Sequence, residues 1–295
     1  MNSTKRENKN KSKPILIIVI VTLILLALAG LIIYSIGYRY IKTDYAKFTG
    51  ITKNGAPVEG SIRYVDGTTG TLKFDSKTNT PIIEYHTGDI YTGELMGIVR
   101  HGKGKITYSN GDVYEGDFVN DKRTGYALIT FADGSSYEGN VVDGKPHGLG
   151  KYVFSDSSVY YGEFNLGKKH GTAEYRMADG SYYRGTFVND LKDGTEICSV
   201  SLPDGKIYTG ECTMYFADTG STYIGDFKED KRTGKGKYTW KSGEYYEGEF
   251  VNGLFEGMGT YHFAGDKTSP YTGLFSGGKI VKEENKTSDN AEVNS

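Results

Sequence analysis

Three histidines, His101, His147 and His170, recur at one position of a repeating pattern, each just before a glycine. Regularly spaced imidazoles invite a metal reading. His147 and His170, however, lie one hairpin apart. Two strand spacings of about 9.6 Å are too wide for stacked side chains to share one Zn²⁺ at about 2.0–2.1 Å per bond. Gly102-Lys103-Gly104 and Gly148-Leu149-Gly150 look like pieces of a phosphate loop, but that loop leads into a helix, and here a strand pattern follows. Ser, His and Asp recur in turn sequences, with no nucleophile–base–acid set apart from the repeat. The residues therefore predict no metal, no cofactor and no enzyme.

Two other sets suit binding. Lys122, Lys145 and Lys168 recur once per repeat and would form an edge ladder at about 10 Å spacing. That ladder is either a solvated link that keeps edges soluble or a track for an anionic lipid headgroup or wall polymer. Aromatic rows form the second set: Tyr108, Phe131 and Phe154, and Tyr114, Tyr137 and Tyr160, continued by Tyr183 and Tyr246. Such rows suit peptide or helix capture, and also sugar stacking.

These side chains need a scaffold, and the spacing specifies one. Tyr-x-Gly returns at Tyr91, Tyr114, Tyr137, Tyr160 and Tyr183, always 23 residues apart. It continues at Tyr208, Tyr223, Tyr246 and Tyr271 with steps of 25, 15, 23 and 25. An apolar residue usually follows at the fourth position, as in Phe118, Phe164 and Phe250. Residues i, i+2 and i+4 share one face of a strand. A second strand, such as Gly104-Lys105-Ile106-Thr107-Tyr108, precedes each tyrosine across a turn such as Ser109-Asn110-Gly111-Asp112. Each unit is a β-hairpin. One hairpin cannot bury its aromatic face alone, so the units must stack. The fold class predicted is all-β: an elongated single-layer antiparallel meander of hairpin repeats, preceded by one transmembrane helix.

The expected register sets Tyr108 opposite Tyr114, Ile106 opposite Gly116 and Gly104 opposite Phe118. On the other face it opposes Lys105 to Asp117, Lys151 to Glu163 and Lys237 to Glu249, and leaves Arg176 facing Arg184. With Leu202 opposite Tyr208 and Val200 opposite Gly210, Cys198 meets Cys212. Facing Cα atoms lie about 4.5–5.5 Å apart, within disulfide range, so this register predicts a Cys198–Cys212 disulfide in an oxidising compartment.

The pattern resembles the membrane occupation and recognition nexus (MORN) repeat family. The matching segments are Tyr114-Glu115-Gly116-Asp117-Phe118, Asp143-Gly144-Lys145-Pro146-His147-Gly148-Leu149-Gly150 and Tyr246-Glu247-Gly248-Glu249-Phe250-Val251-Asn252-Gly253. The resemblance spans about residues 68–275 and implies a scaffold, tether or accessory array. Some members carry a fused lipid kinase or methyltransferase; none is expected in the 20 residues after Phe275.

The N-terminal segment is different in kind. Residues 1–13 carry Lys5, Arg6, Lys9, Lys11 and Lys13 against Glu7, and Ile15 to Tyr34 is uncharged and almost wholly apolar. Twenty helical residues span about 30 Å, the hydrocarbon thickness. The basic flank places the N-terminus in the cytoplasm and the repeats outside it. The rival is a signal peptide cleaved after Ala29 in Ala27-Leu28-Ala29. The expected organisation is a basic cytoplasmic segment (1–14), a transmembrane helix (15–37), a linker with a degenerate first repeat (38–67), the array (68–281) and a disordered tail (282–295). Residues 1–40 hold six Lys/Arg and one Glu, so the remainder carries 29 basic against 36 acidic residues. An acidic array disfavours nucleic acid. The expected partners are protein, the membrane through 15–37, a second copy of the chain, and an anionic lipid or wall polymer. The first function predicted is a single-pass cell-membrane scaffold that binds protein through the aromatic groove. Its alternatives are an extracytoplasmic carbohydrate- or wall-polymer-binding module and an accessory subunit of an enzyme complex.

Overall fold

A computed structural model describes residues 12–195, 198–201, 207–265 and 269–281. The predicted tail and most of the basic N-terminal segment lie outside the described residues. The chain divides after Lys122 into two compact units.

The first unit opens with the helix Ser12–Ser35. From Ile17 to Ser35 its side chains lie exposed rather than packed on protein, at a mean hydropathy of 3.1. Its hydroxyls bond back to their own helix, Thr22 Oγ1 to Ile18 O and Ser35 Oγ to Ile32 O. That leaves a helix long and apolar enough to cross a membrane. Arg39 closes its C-terminal end by donating to the Tyr34 carbonyl at 3.0 Å, where a cation also meets the negative end of the helix dipole.

The sheet begins at once. The strands Tyr38–Lys42, Ala46–Lys53, Ala56–Tyr64, Thr69–Phe74, Pro81–Tyr85, Ile90–Met96, Val99–Thr107 and Val113–Val119 form a meander, each antiparallel to the next. Residues 38–67, expected to be a linker with a degenerate first repeat, hold three of these strands. Phe48 is buried across Gly50 and Gly60, a Phe-x-Gly version of the repeat without the phenol.

The second unit is also a meander. It runs Lys122–Thr130, Ser136–Val142, Lys145–Val153, Val159–Asn165, Lys168–Arg176 and Tyr182–Val188, and later Ser221–Lys228, Lys231–Thr239, Tyr245–Val251, Leu254–His262 and Tyr271–Ser276. One face is buried and the other is wet, as period-2 patterning requires. Phenylalanines bind successive repeats together. Phe164 lies edge-on to Tyr137 at 5.3 Å and to Tyr160 at 4.9 Å, and Phe187 does the same with Tyr160 and Tyr183 at 5.3 and 5.2 Å. Such pairs add about 0.5–1.5 kcal/mol each beyond their area.

The register differs from the expected one by two residues. Ile106 faces Tyr114, Gly104 faces Gly116 and Gly102 faces Phe118. The cause is the turn. Tyr108 N bonds to Asp112 O and Gly111 N to Tyr108 O, closing a three-residue loop with Gly111 at φ 96°. A left-handed residue there favours glycine. Because the shift is even, each residue keeps its face and changes only its partner. Lys105 now meets Glu115, Lys103 meets Asp117 at 2.6 Å, and Lys237 meets Glu247. Lys151 meets Tyr161. Arg184 faces Glu174, not Arg176. The buried Glu174 carboxylate accepts from both guanidiniums at 2.5 Å, which removes the expected like-charge clash.

The irregular 15-residue step marks an insertion. Cys198–Ser201 and Ile207–Gly210 form a separate two-stranded sheet. Tyr182–Val188 is met instead by two pieces, Leu191–Lys192 and Thr213–Phe216. Tyr208 is thus no member of the stack. Phe227 supplies the next ring, 5.1 Å from Tyr183 and 5.2 Å from Tyr223.

Candidate binding groove

The buried face is built by one local device. The Tyr137 ring lies across Gly150, so a Cβ on Gly150 would meet the ring at 2.6 Å. Its phenol donates to the Asn140 carbonyl at 2.6 Å. That carbonyl is at a bulge: Gly139 pairs with Gly150 but Val141 pairs with Pro146. Three residues, His147 to Leu149, thus oppose Asn140 alone, and Gly148 turns the chain at φ 70°. The histidine positions are these bulges. His147 is exposed, while the Nδ1 atoms of His101 and His170 are buried without a hydrogen-bond partner. No group of three metal-ligating residues occurs among the described residues.

The same bond recurs at Tyr91, Tyr114, Tyr160, Tyr183, Tyr223 and Tyr246, each to the carbonyl three residues on, at 2.6–3.1 Å. Acidic residues at several bulges reach across to the next strand. Glu163 Oε1 accepts from Thr172 N, and Asp226 Oδ2 from Lys235 N. Burial pushes the Tyr137 phenol up to about 12 and raises those of Tyr91, Tyr160 and Tyr223 for the same reason.

The candidate groove therefore divides. Tyr114, Tyr137, Tyr160, Tyr183 and Tyr246 are fully buried core, and their faces are not open to a ligand. Tyr108, Phe131 and Phe154 are half-buried and remain at the surface. In the second unit Phe154 belongs to a surface row. Tyr152 lies 4.6 Å from Phe154, and Phe154 lies 5.7 Å from Tyr175. Beyond the insertion the row resumes: Phe216 to Tyr238 at 6.0 Å, Tyr238 to Trp240 at 4.8 Å, and Trp240 to Tyr261 at 5.5 Å. Tyr152, Tyr175, Tyr238 and Tyr261 come from the second strand of each hairpin. They face the buried tyrosines across the register, and the glycines beside them are already covered, Gly150 by Tyr137, Gly236 by Tyr223 and Gly259 by Tyr246.

Cations complete this face. Lys169 Nζ stands 5.1 Å from the Tyr175 centroid and 6.0 Å from Phe154. The Arg232 guanidinium lies 4.9 Å from Tyr238 and donates to Gly253 O at 2.7 Å. Burial lowers the Lys169 ammonium, opposed by the Asp190 charge. In the first unit Arg100 sits in the same way among Tyr64, Tyr85, Tyr91 and Phe118, within 5.9 Å of each ring, and bonds Asp121. Sequence reading missed these cations. It noted Lys122, Lys145 and Lys168, which are exposed, while Lys169 at the next position turns toward the rings. The available signal was a cation two residues before the bulge glycine, as in Arg100, Arg123, Lys169, Lys192 and Arg232.

The register expected to oppose Cys198 to Cys212 is not the one the inserted hairpin adopts. Cys198 faces Gly210 in the inserted hairpin. Buried Cys212 lies over Gly185, in the slot beneath Tyr183 that Gly150 fills beneath Tyr137. The Cys198 side chain, and with it the disulfide, lies outside the described residues.

The MORN repeat model matches residues 91–113, 114–136, 137–159, 160–182, 183–195, 223–245 and 246–266. The chain belongs to the MORN repeat family. The matched segments skip Tyr208, as the inserted hairpin requires. Among solved structures, the MORN array is similar to the TCP domain of SAS-4 from Drosophila melanogaster, solved with a proline-rich motif of Ana2. Identity there is 17%, covering 58% of this chain and 93% of that one, at a TM-score of 0.30. It is also similar to the TCP10 domain of Danio rerio CPAP, solved with a STIL peptide, at 13% identity, covering 73% and 94%, with a TM-score of 0.34. Both likenesses are distant, and neither transfers a function.

Proposed function

We propose that this MORN-repeat protein is a membrane-anchored scaffold that captures a protein segment on the half-buried aromatic row of its second unit. The observation that carries the reading is the row itself. Tyr152, Phe154 and Tyr175, then Tyr238, Trp240 and Tyr261, offer ring area at low conformational cost. Lys169 and Arg232 lie among these rings and suit a partner with carboxylates beside apolar side chains. Ile17–Ser35 holds the array at a membrane, and the basic flank ahead of it orients the N-terminus to the cytoplasm.

A photo-reactive amino acid in place of Tyr175, in the full chain in native membranes, tests the groove. One protein adduct should form, and Trp240→Ala should abolish it. The same probe at exposed Leu149 should give none. An adduct of wall polymer, or equal adducts from both positions, would overturn the reading. Orientation is checked separately: external protease should cut after Arg39 while an N-terminal tag stays protected.

A further inference from the structure

The wet face of this sheet pairs opposite charges across strands, as Lys103–Asp117 and Lys73–Glu84 show. Like charges meet in isolated pairs, as Lys228 with Lys231 and Glu249 with Glu256, but one row carries the same sign over three strands. Lys42 faces Lys47, and Lys47 faces Arg63. Three exposed cations thus stand side by side on three successive strands. Among the described residues none of them forms an ion pair. Like charges directly opposite one another oppose strand pairing, so the row favours an external anion. It borders an open cleft of about 620 Å³ in which Asp44 is the single carboxylate.

The row's place in the chain indicates where that anion comes from. The strand bearing Lys42 leaves the apolar helix two residues after its end. Thr52 ties it there, donating to Gly37 O through both N and Oγ1 at 2.8 and 2.9 Å. Tyr34, Tyr38, Tyr40 and Tyr45 are exposed beside this exit. Tyrosines gather at the membrane–water boundary, and basic residues next to a span attract anionic headgroups.

We propose that Lys42, Lys47 and Arg63 bind the phosphate of an anionic lipid headgroup, laying the first three strands on the bilayer surface. This rests on the anchor reading above. It is independent of the MORN-matched residues, which begin at 91.

The test uses the full chain in nanodiscs of phosphatidylcholine, with or without phosphatidylglycerol, and reads amide hydrogen exchange. Phosphatidylglycerol should slow exchange several-fold across Tyr38–Lys53. The response should vanish in Lys42→Gln/Lys47→Gln/Arg63→Gln. It should persist in Lys42→Arg/Lys47→Arg and in Lys122→Gln/Lys145→Gln/Lys168→Gln. An unresponsive wild type, a responsive triple Gln variant that is folded, or the same protection from inorganic phosphate without anionic lipid would overturn the headgroup site alone. Failure of the chain to enter the nanodisc would overturn the anchor and the proposal together.

Discussion

The phenol of Tyr137 donates to the Asn140 carbonyl at 2.6 Å, three residues along its own strand, where a bulge has removed that carbonyl's cross-strand partner. The repeat motif is the local expression of this bond. Tyrosine supplies the donor, glycine gives the ring room, and the bulge presents the acceptor. Tyr137→Phe keeps the ring and deletes the donor, leaving the carbonyl unsatisfied. It should cost about 1 kcal/mol in chemical denaturation, with no change in circular dichroism at low denaturant.

The two glycines under that ring differ. A Cβ on Gly139 would meet the facing backbone, Gly150 Cα at 2.8 Å and Leu149 O at 2.9 Å, as well as the Tyr137 phenol. The three atoms nearest a Cβ on Gly150 all belong to the Tyr137 ring and its phenol, and Ala173 already fills the equivalent place beside Tyr160. Gly139→Ala should therefore destabilise by about 1–3 kcal/mol, and Gly150→Ala by clearly less. Paired thermal melts decide, and equal losses would show that the ring is the rigid element.

Glu174 is buried between Arg184, which is 21% exposed, and Arg176, which is 58% exposed. The exposed pair contributes little, so Arg184 is the partner that matters. Glu174→Gln should cost about 1–3 kcal/mol. In an Arg184→Leu background the same change should cost less, and a double-mutant cycle measures the difference.

Alkaline stability follows from the buried phenols. Tyr91, Tyr137, Tyr160 and Tyr223 are raised by burial above the ordinary value of about 10. The folded state then holds protons that the unfolded chain releases. This contribution is fully present below about pH 10 and is lost as pH rises from there through the folded values. Melting temperature should fall steeply above about pH 10. Tyrosinate absorbance should appear with unfolding rather than before it; gradual ionisation in a folded array would contradict this burial.

Strand content, strand faces and the apolar helix were legible without coordinates, because each depends on neighbours along the chain. Period-2 spacing in Tyr114-Glu115-Gly116-Asp117-Phe118 puts Tyr, Gly and Phe on one side whatever lies opposite. Twenty uncharged residues after Lys13 are long enough for a bilayer in any context. What lies opposite is a tertiary matter. Three-residue loops, closed by Gly111 in one hairpin and by Gly134, Gly180 and Gly243 in others, moved the expected partners by two residues. Membership of the stack was tertiary as well: Tyr208 carries the motif, yet its hairpin leaves the main sheet and Phe227 supplies the missing ring. Tyr137 and Tyr152 are both tyrosines on the same face, and only the backbone across from each decides that one is core and the other surface. The ring that disappears is the one that lies over Gly139 and, diagonally across, Gly150, and that choice is made between strands.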